Sequence, residues 1–237
     1  MVTLTTGVVM SAIVVVFAPD LVPASVYRVL GWAPPGSSAA PTGPGTFRFT
    51  AHQPGRPAVP VTYDRCRTIH VVYNPRGAPE DGEELVRTAI RTVSRATGLR
   101  MVYDGTTDRR PSSRARRLLG GSGRAPALVS FATSAEVPAL AGRVAGVGGS
   151  VRVTDGRGSR YVTGQVTLDS QAFQEVLRRP TGVAQAQAIV LHEFGHLVGL
   201  DHVQDPGELM NADNTGRTQF GPGDLTGLRA LGGGPCL

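Results

Sequence analysis

The sequence predicts an α+β fold, one sheet backed by helices. Two observations lead there. Short β-rich runs and amphipathic helical runs follow one another in the order β-α-β-β-β-β-α, with a helical tail. Aromatic residues make up only 5% of the chain while hydrophobic residues make up 41%, so the core is built mostly from Val, Leu, Ile and Ala. At 237 residues the chain suffices for one large domain or two small ones.

The first segment stands apart from the rest. Val2 to Ala18 carry no charge and include Ile13-Val14-Val15-Val16-Phe17. Residues 1–30 therefore read as a signal peptide or a membrane anchor, although the run is short of the ~20 apolar residues that span a bilayer. No Lys or Arg precedes it, no clean Ala-x-Ala site follows, and Arg28 lies beyond it. A start codon set downstream of the true one would account for this, and so would an unusual anchor. Residues 31–60 are rich in Pro, Gly and Ser, too poor in apolar surface to offset their ordering entropy. They read as a disordered linker, which leaves 61–237 as the folded domain.

Within that domain, Thr68 to Tyr73 is β-rich and ends at Asn74-Pro75, a strand signal. Leu85, Val86, Ala89, Ile90 and Val93 fall at helical spacing, and that helix ends before Gly98. Leu99 to Tyr103 and Ala127 to Ala132 are the next strands. Val151 to Val153 and Tyr161 to Leu168 form a hairpin around Asp155-Gly156-Arg157-Gly158. A second helix runs from about Val183 to Val198 and stops at Gly199; a short third one spans Pro222 to Leu231.

The 24 basic residues outnumber the 18 acidic ones, giving +6, and every basic residue is Arg. GC-rich codon usage accounts for the Arg bias. The arginines are dispersed apart from Arg109-Arg110 and Arg114 to Arg117, and no nucleic-acid motif accompanies them, so no nucleic-acid partner is expected. The two cysteines, Cys66 and Cys236, sit near the start and end of the domain. In an exported protein they are expected to close one disulfide ring. Two free buried thiols are the alternative in a cytosolic protein, and the apolar N-terminus favours export.

The chemistry lies in His192-Glu193-Phe194-Gly195-His196-Leu197-Val198-Gly199-Leu200-Asp201-His202. Three of the five histidines in the chain fall in this window. His192 and His196, four residues apart on a helix, project from one face and can reach one Zn²⁺ at about 2.0–2.1 Å. Glu193 points about 100° away round the helix, placed to act as a base on water rather than as a ligand. Gly199 permits φ > 0, so the chain turns back and His202 can complete a three-nitrogen site. Three ligands leave a position open, the arrangement of catalytic zinc.

The motif His-Glu-x-x-His-x-x-Gly-x-x-His, with Leu209-Met210 after an Asp205-Pro206-Gly207 turn, resembles the metzincin zinc peptidases, and the domain looks like a bacterial matrixin. That resemblance implies a twisted, mostly parallel sheet with an antiparallel edge strand, backed by two long helices and a C-terminal helix. It implies one catalytic zinc held by His192, His196 and His202, Glu193 as the catalytic base, and Met210 as an apolar floor beneath the ligands. A polypeptide substrate would pair with an edge strand, placed here at Tyr161 to Asp169. A monomeric, extracellular endopeptidase is expected, secreted or anchored through the N-terminal segment if that is not cleaved.

The chain departs from the family in several places. No Pro-Arg-Cys-Gly latency peptide is present, no Tyr follows Met210, and structural Ca²⁺ finds no clear ligand set. Cys66 could cap the zinc, but pairing with Cys236 is preferred. His52 and His70 read as isolated linker and strand residues. A zinc hydrolase acting on a non-protein amide or cell-wall peptide, or a zinc-containing binding module, is the rival function.

Overall fold

The computed structural model describes residues 45–112, 125–156 and 158–236. The signal or anchor segment expected over 1–30, the first part of the linker and Arg114 to Arg117 lie outside the described residues. Among the described residues no helix is long and apolar enough to cross a membrane.

The linker expectation needs correction over its second half. Residues 45–60 carry three short strands, β1 (Arg48–Phe49), β2 (His52–Gln53) and β3 (Arg56–Pro60). Strands β2 and β3 pair with each other, while β1 pairs far along the chain with β10 (Leu200–Asp201). Proline and glycine content gave no hint of this, because the ordering contacts are backbone hydrogen bonds, within the β2–β3 hairpin and from β1 to distant β10, and not burial of a local apolar face.

The main sheet is formed by β4 (Thr62–Tyr63), β5 (Ile69–Asn74), β6 (Met101–Thr106), β7 (Ala127–Ala132), β8 (Gly146–Asp155) and β9 (Gly158–Asp169). The order is β4-β9-β7-β5-β6, with every one of those pairings parallel, and β8 joins β9 antiparallel. Buried along its whole length, β7 is the continuous apolar run that a central parallel strand needs. Because the hairpin pairs from Asp155↔Gly158 out to Gly146↔Leu168, β8 covers the outer side of β9. The edge is thus β8, and not Tyr161 to Asp169 as expected from sequence. Gly146-Val147-Gly148-Gly149-Ser150 lacks the alternation by which strands are recognised, so the length of β8 was hidden.

Among the described residues, four α-helices pack on this sheet. Helix α1 (Gly82–Thr97) buries Leu85, Val86, Ala89, Ile90 and Val93 and ends at Gly98. A helix unforeseen from sequence, α2 (Ser170–Leu177), starts where the Asp169 carboxylate accepts the Ala172 N–H at 2.7 Å. Helix α3 (Gly182–Val198) carries the histidine motif and lays Leu197 over Gly164 of β9. Helix α4 (Pro222–Gly232) closes the domain. Gln187 of α3 donates to the Leu85 carbonyl of α1 at 3.1 Å, tying the two long helices together.

Just beyond α4, Cys236 is joined to Cys66 with Cα atoms 5.2 Å apart and 170 residues between them. A loop of that length gives about 5 kcal/mol in the chain-entropy model, an upper figure. Cys236→Ser is expected to lower unfolding stability by up to about that amount. Urea titration of both chains checks it, and an unchanged midpoint would show that the ring contributes nothing.

Candidate metal centre

Four residues apart on α3, His192 and His196 leave one face of the helix, as their spacing dictates. Gly199 then turns the chain. Its φ is +119°, and a Cβ there would meet Tyr161 at 3.0 Å and Leu231 at 3.2 Å, so both backbone and packing require glycine. The reversal brings back His202. The three Nε2 atoms meet, with His192 to His202 at 3.0 Å and His196 to each of the others at 3.1 Å.

These are not hydrogen bonds in the ordinary sense. The Nδ1 of His192 lies 2.8 Å from the Leu209 carbonyl, and that of His196 lies 2.9 Å from the Leu200 carbonyl. A carbonyl only accepts, so both rings carry their proton on Nδ1 and present a bare lone pair at Nε2. Two bare lone pairs 3.1 Å apart repel unless a cation lies between them. Three imidazole nitrogens suit zinc, and their separations are within the reach of an ion bonded to each at about 2.0–2.1 Å.

Glu193 is buried between α3 and β8. The backbone N–H of Gly148 donates to its carboxylate. A Cβ on Gly146 would lie 2.7 Å from Glu193 Cγ, and one on Gly148 would collide with the Glu193 carbonyl. The glycines of β8 therefore let the edge strand lie directly against the helix. Ser150 Oγ fastens the same contact by donating to the Leu197 carbonyl at 2.6 Å. Sequence reasoning missed this backing of Glu193, although the glycine cluster was its visible trace.

Met210 packs its sulfur where a Cβ on Gly195 would stand, 2.5 Å from that point, directly beneath the helical turn between His192 and His196. Two buried carboxylates that sequence reasoning also missed hold its turn in place. Asp224 at the start of α4 accepts the N–H of Leu209 at 2.6 Å and of Gly221 at 3.0 Å. Glu208 accepts those of Gly223 at 2.9 Å and Asp224 at 2.8 Å. Burial, with the neighbouring Glu208 charge adding to it, pushes the Asp224 carboxyl up to about 6 against the pull of those N–H groups.

Cys66 does not approach the histidines; it is bound to Cys236. Asp64, Cys66 and Cys236 form the second group of metal-ligand type among the described residues, but both sulfurs are engaged with each other. His70 pairs with Asp104 at 2.8 Å on the exposed side of the sheet, and His52 lies in β2.

Residues 146–231, from the first residue of β8 into the last turn of α4, match the matrixin family model. Over that stretch the chain is similar to the matrixin zinc peptidases. No curated protein matches its sequence. Solved structures similar to this chain include an archaemetzincin from Methanopyrus kandleri, at 18% identity and a TM-score of 0.43, covering 69% of this chain and 94% of that one. Another is the GM1-bound form of the ECX AB5 holotoxin, at 14% identity and a TM-score of 0.38, covering 69% and 79%.

In the polypeptide itself, burial pushes the His192 imidazole down to about 4, with the adjacent His196 contributing, and burial also lowers His196. Burial drives Glu193 up to about 8 against the Gly148 N–H. A cation at the three nitrogens favours the carboxylate and opposes that rise. For His192 the sign is clear. The unfolded chain takes up its proton near pH 6.5 and the folded chain only near pH 4, so stability is full above 6.5 and declines as pH falls to about 4. Metal-free His192→Gln is expected to lose less stability over that interval than metal-free wild type, as urea unfolding at stepped pH would show. Equal losses would contradict the burial of a neutral His192.

Proposed function

We propose that the chain is an exported endopeptidase in which His192, His196 and His202 hold the zinc and Glu193 is the catalytic base. The observation that carries this reading is the convergence of three Nε2 atoms, those of His192 and His196 with their ring protons committed to carbonyls on the far side, beside a buried carboxylate. When bound, the ion would supply an activated water and polarise the scissile carbonyl. Glu193 takes a proton from the water and returns it to the leaving amine, the N–H of Gly148 holding its carboxylate in place meanwhile.

The edge of the sheet says how a peptide would lie. Among the described residues β8 pairs with β9 alone, so its other side offers unused N–H and C=O groups for strand addition. Because β8 runs against Glu193, a peptide paired there passes the histidines. Its glycines at 146, 148 and 149 leave the backbone open to such pairing. Export is supported by the Cys66–Cys236 pair, since disulfides persist in oxidising compartments, and by the apolar segment at the start of the chain.

The test uses the full chain on an unfolded protein substrate. Chelation is expected to abolish cleavage and added zinc to restore it. Glu193→Gln is expected to keep one zinc per chain and lower kcat by about 10²–10⁴-fold. Near wild-type turnover in that variant would remove Glu193 from its role. A chain that binds one zinc but cuts no peptide would move the function to a narrow-specificity hydrolase or a binding module.

A further inference from the structure

Residues 45–50 lie against the part of the chain that joins His196 to His202. Strand β1 pairs antiparallel with β10, Arg48 opposite Asp201 and Phe49 opposite Leu200. The Thr50 N–H donates to the Gly199 carbonyl at 2.9 Å. Its hydroxyl donates to the Leu200 carbonyl at 3.0 Å. That carbonyl is the one to which His196 Nδ1 donates at 2.9 Å. At the other end, Thr46 Oγ1 donates to Asp205 at 3.2 Å, beyond His202.

We infer that Thr50 is a positioning residue for the metal centre, acting on His196 through the Leu200 carbonyl. This rests on the reading of the three histidines as zinc ligands. A carbonyl oxygen has two lone pairs. With Thr50 Oγ1 on one and His196 Nδ1 on the other, the plane of the Leu200–Asp201 peptide is fixed from both sides. The ring torsion χ2 of a histidine is broad by itself, so the direction of the His196 Nε2 lone pair is set by where that carbonyl stands. The direct partner of a ligating histidine typically governs metal affinity by about 10–100-fold, and Thr50 stands one hydrogen bond beyond that partner. Thr50 is itself exposed, so its hydroxyl can be removed without opening the core.

The experiment measures zinc affinity, by competition with a chromogenic chelator, in the full chain and in three variants with matching circular dichroism. Thr50→Val keeps shape and removes the hydroxyl; a loss of about tenfold is expected. Thr50→Ser keeps the hydroxyl and is expected to stay within about threefold of wild type. Thr46→Val loosens the same segment away from Leu200 and is expected to match wild type. In the metal-free chains, the His196 Nδ1 proton should exchange faster in Thr50→Val alone. Wild-type affinity in Thr50→Val would overturn the inference, and so would an equal loss in Thr46→Val, which would assign the effect to docking of the segment as a whole. Wild type that binds no zinc would instead overturn the reading of the histidines themselves.

Discussion

Three imidazole nitrogens aimed at one point, those of His192 and His196 with no proton between them, are a strained arrangement for a bare polypeptide. Their lone pairs repel, and each ring would gain by rotating to meet water. The surroundings prevent that rotation. Leu209 and Leu200 offer carbonyls that fix the Nδ1 protons of His192 and His196, and Met210 fills the space beneath the turn that bears them. Preorganisation of this sort costs stability during folding and returns it when a cation binds, which is linkage between metal and fold.

The supports are arranged in a chain of dependence. Leu209 can present its carbonyl because its own N–H and that of Met210 are held by Asp224, the bond from Met210 being long at 3.4 Å. Asp224 stands where α4 begins, and its backbone N–H is in turn held by Glu208. The two buried carboxylates have N–H groups for partners, each carrying the opposite element's backbone, so neither α4 nor the methionine turn can shift alone. On the other flank Gly199 and Leu200 are held by the segment ahead of the sheet. Electrostatic repulsion at the centre is contained by ordinary hydrogen bonds at one remove.

The division between what was readable in the sequence and what was not follows the range of the interactions. Alternation and helical spacing are local, so β7 falls at Ala127–Ala132 as read, and α3 ends at Gly199. The histidine spacing is local too, which is why two rings leave one face of α3 and the third returns to them after Gly199. The glycine-rich start of β8 has no periodic signal, since its strand character comes from Leu168, Thr167 and Val166 beside it. Residues 48–50 look like linker because their partners lie some 150 positions away. Asp224 and Glu208 resemble surface acids in sequence, and only the fold shows that backbone N–H groups surround them.

Among the described residues, the covalent ring between Cys66 and Cys236 takes in β5 to β9, α1 to α4 and the three converging histidines. A single cut of the backbone inside it therefore opens the ring without separating the pieces. For a chain proposed to cleave polypeptides in the company of its own copies, this matters. A nick in the surface loop between Met210 and Phe220 would leave both fragments tethered and their packing intact. Damaged molecules would run as full-length chains until a reductant was added, so the loss of intact protein with time would be visible only after reduction.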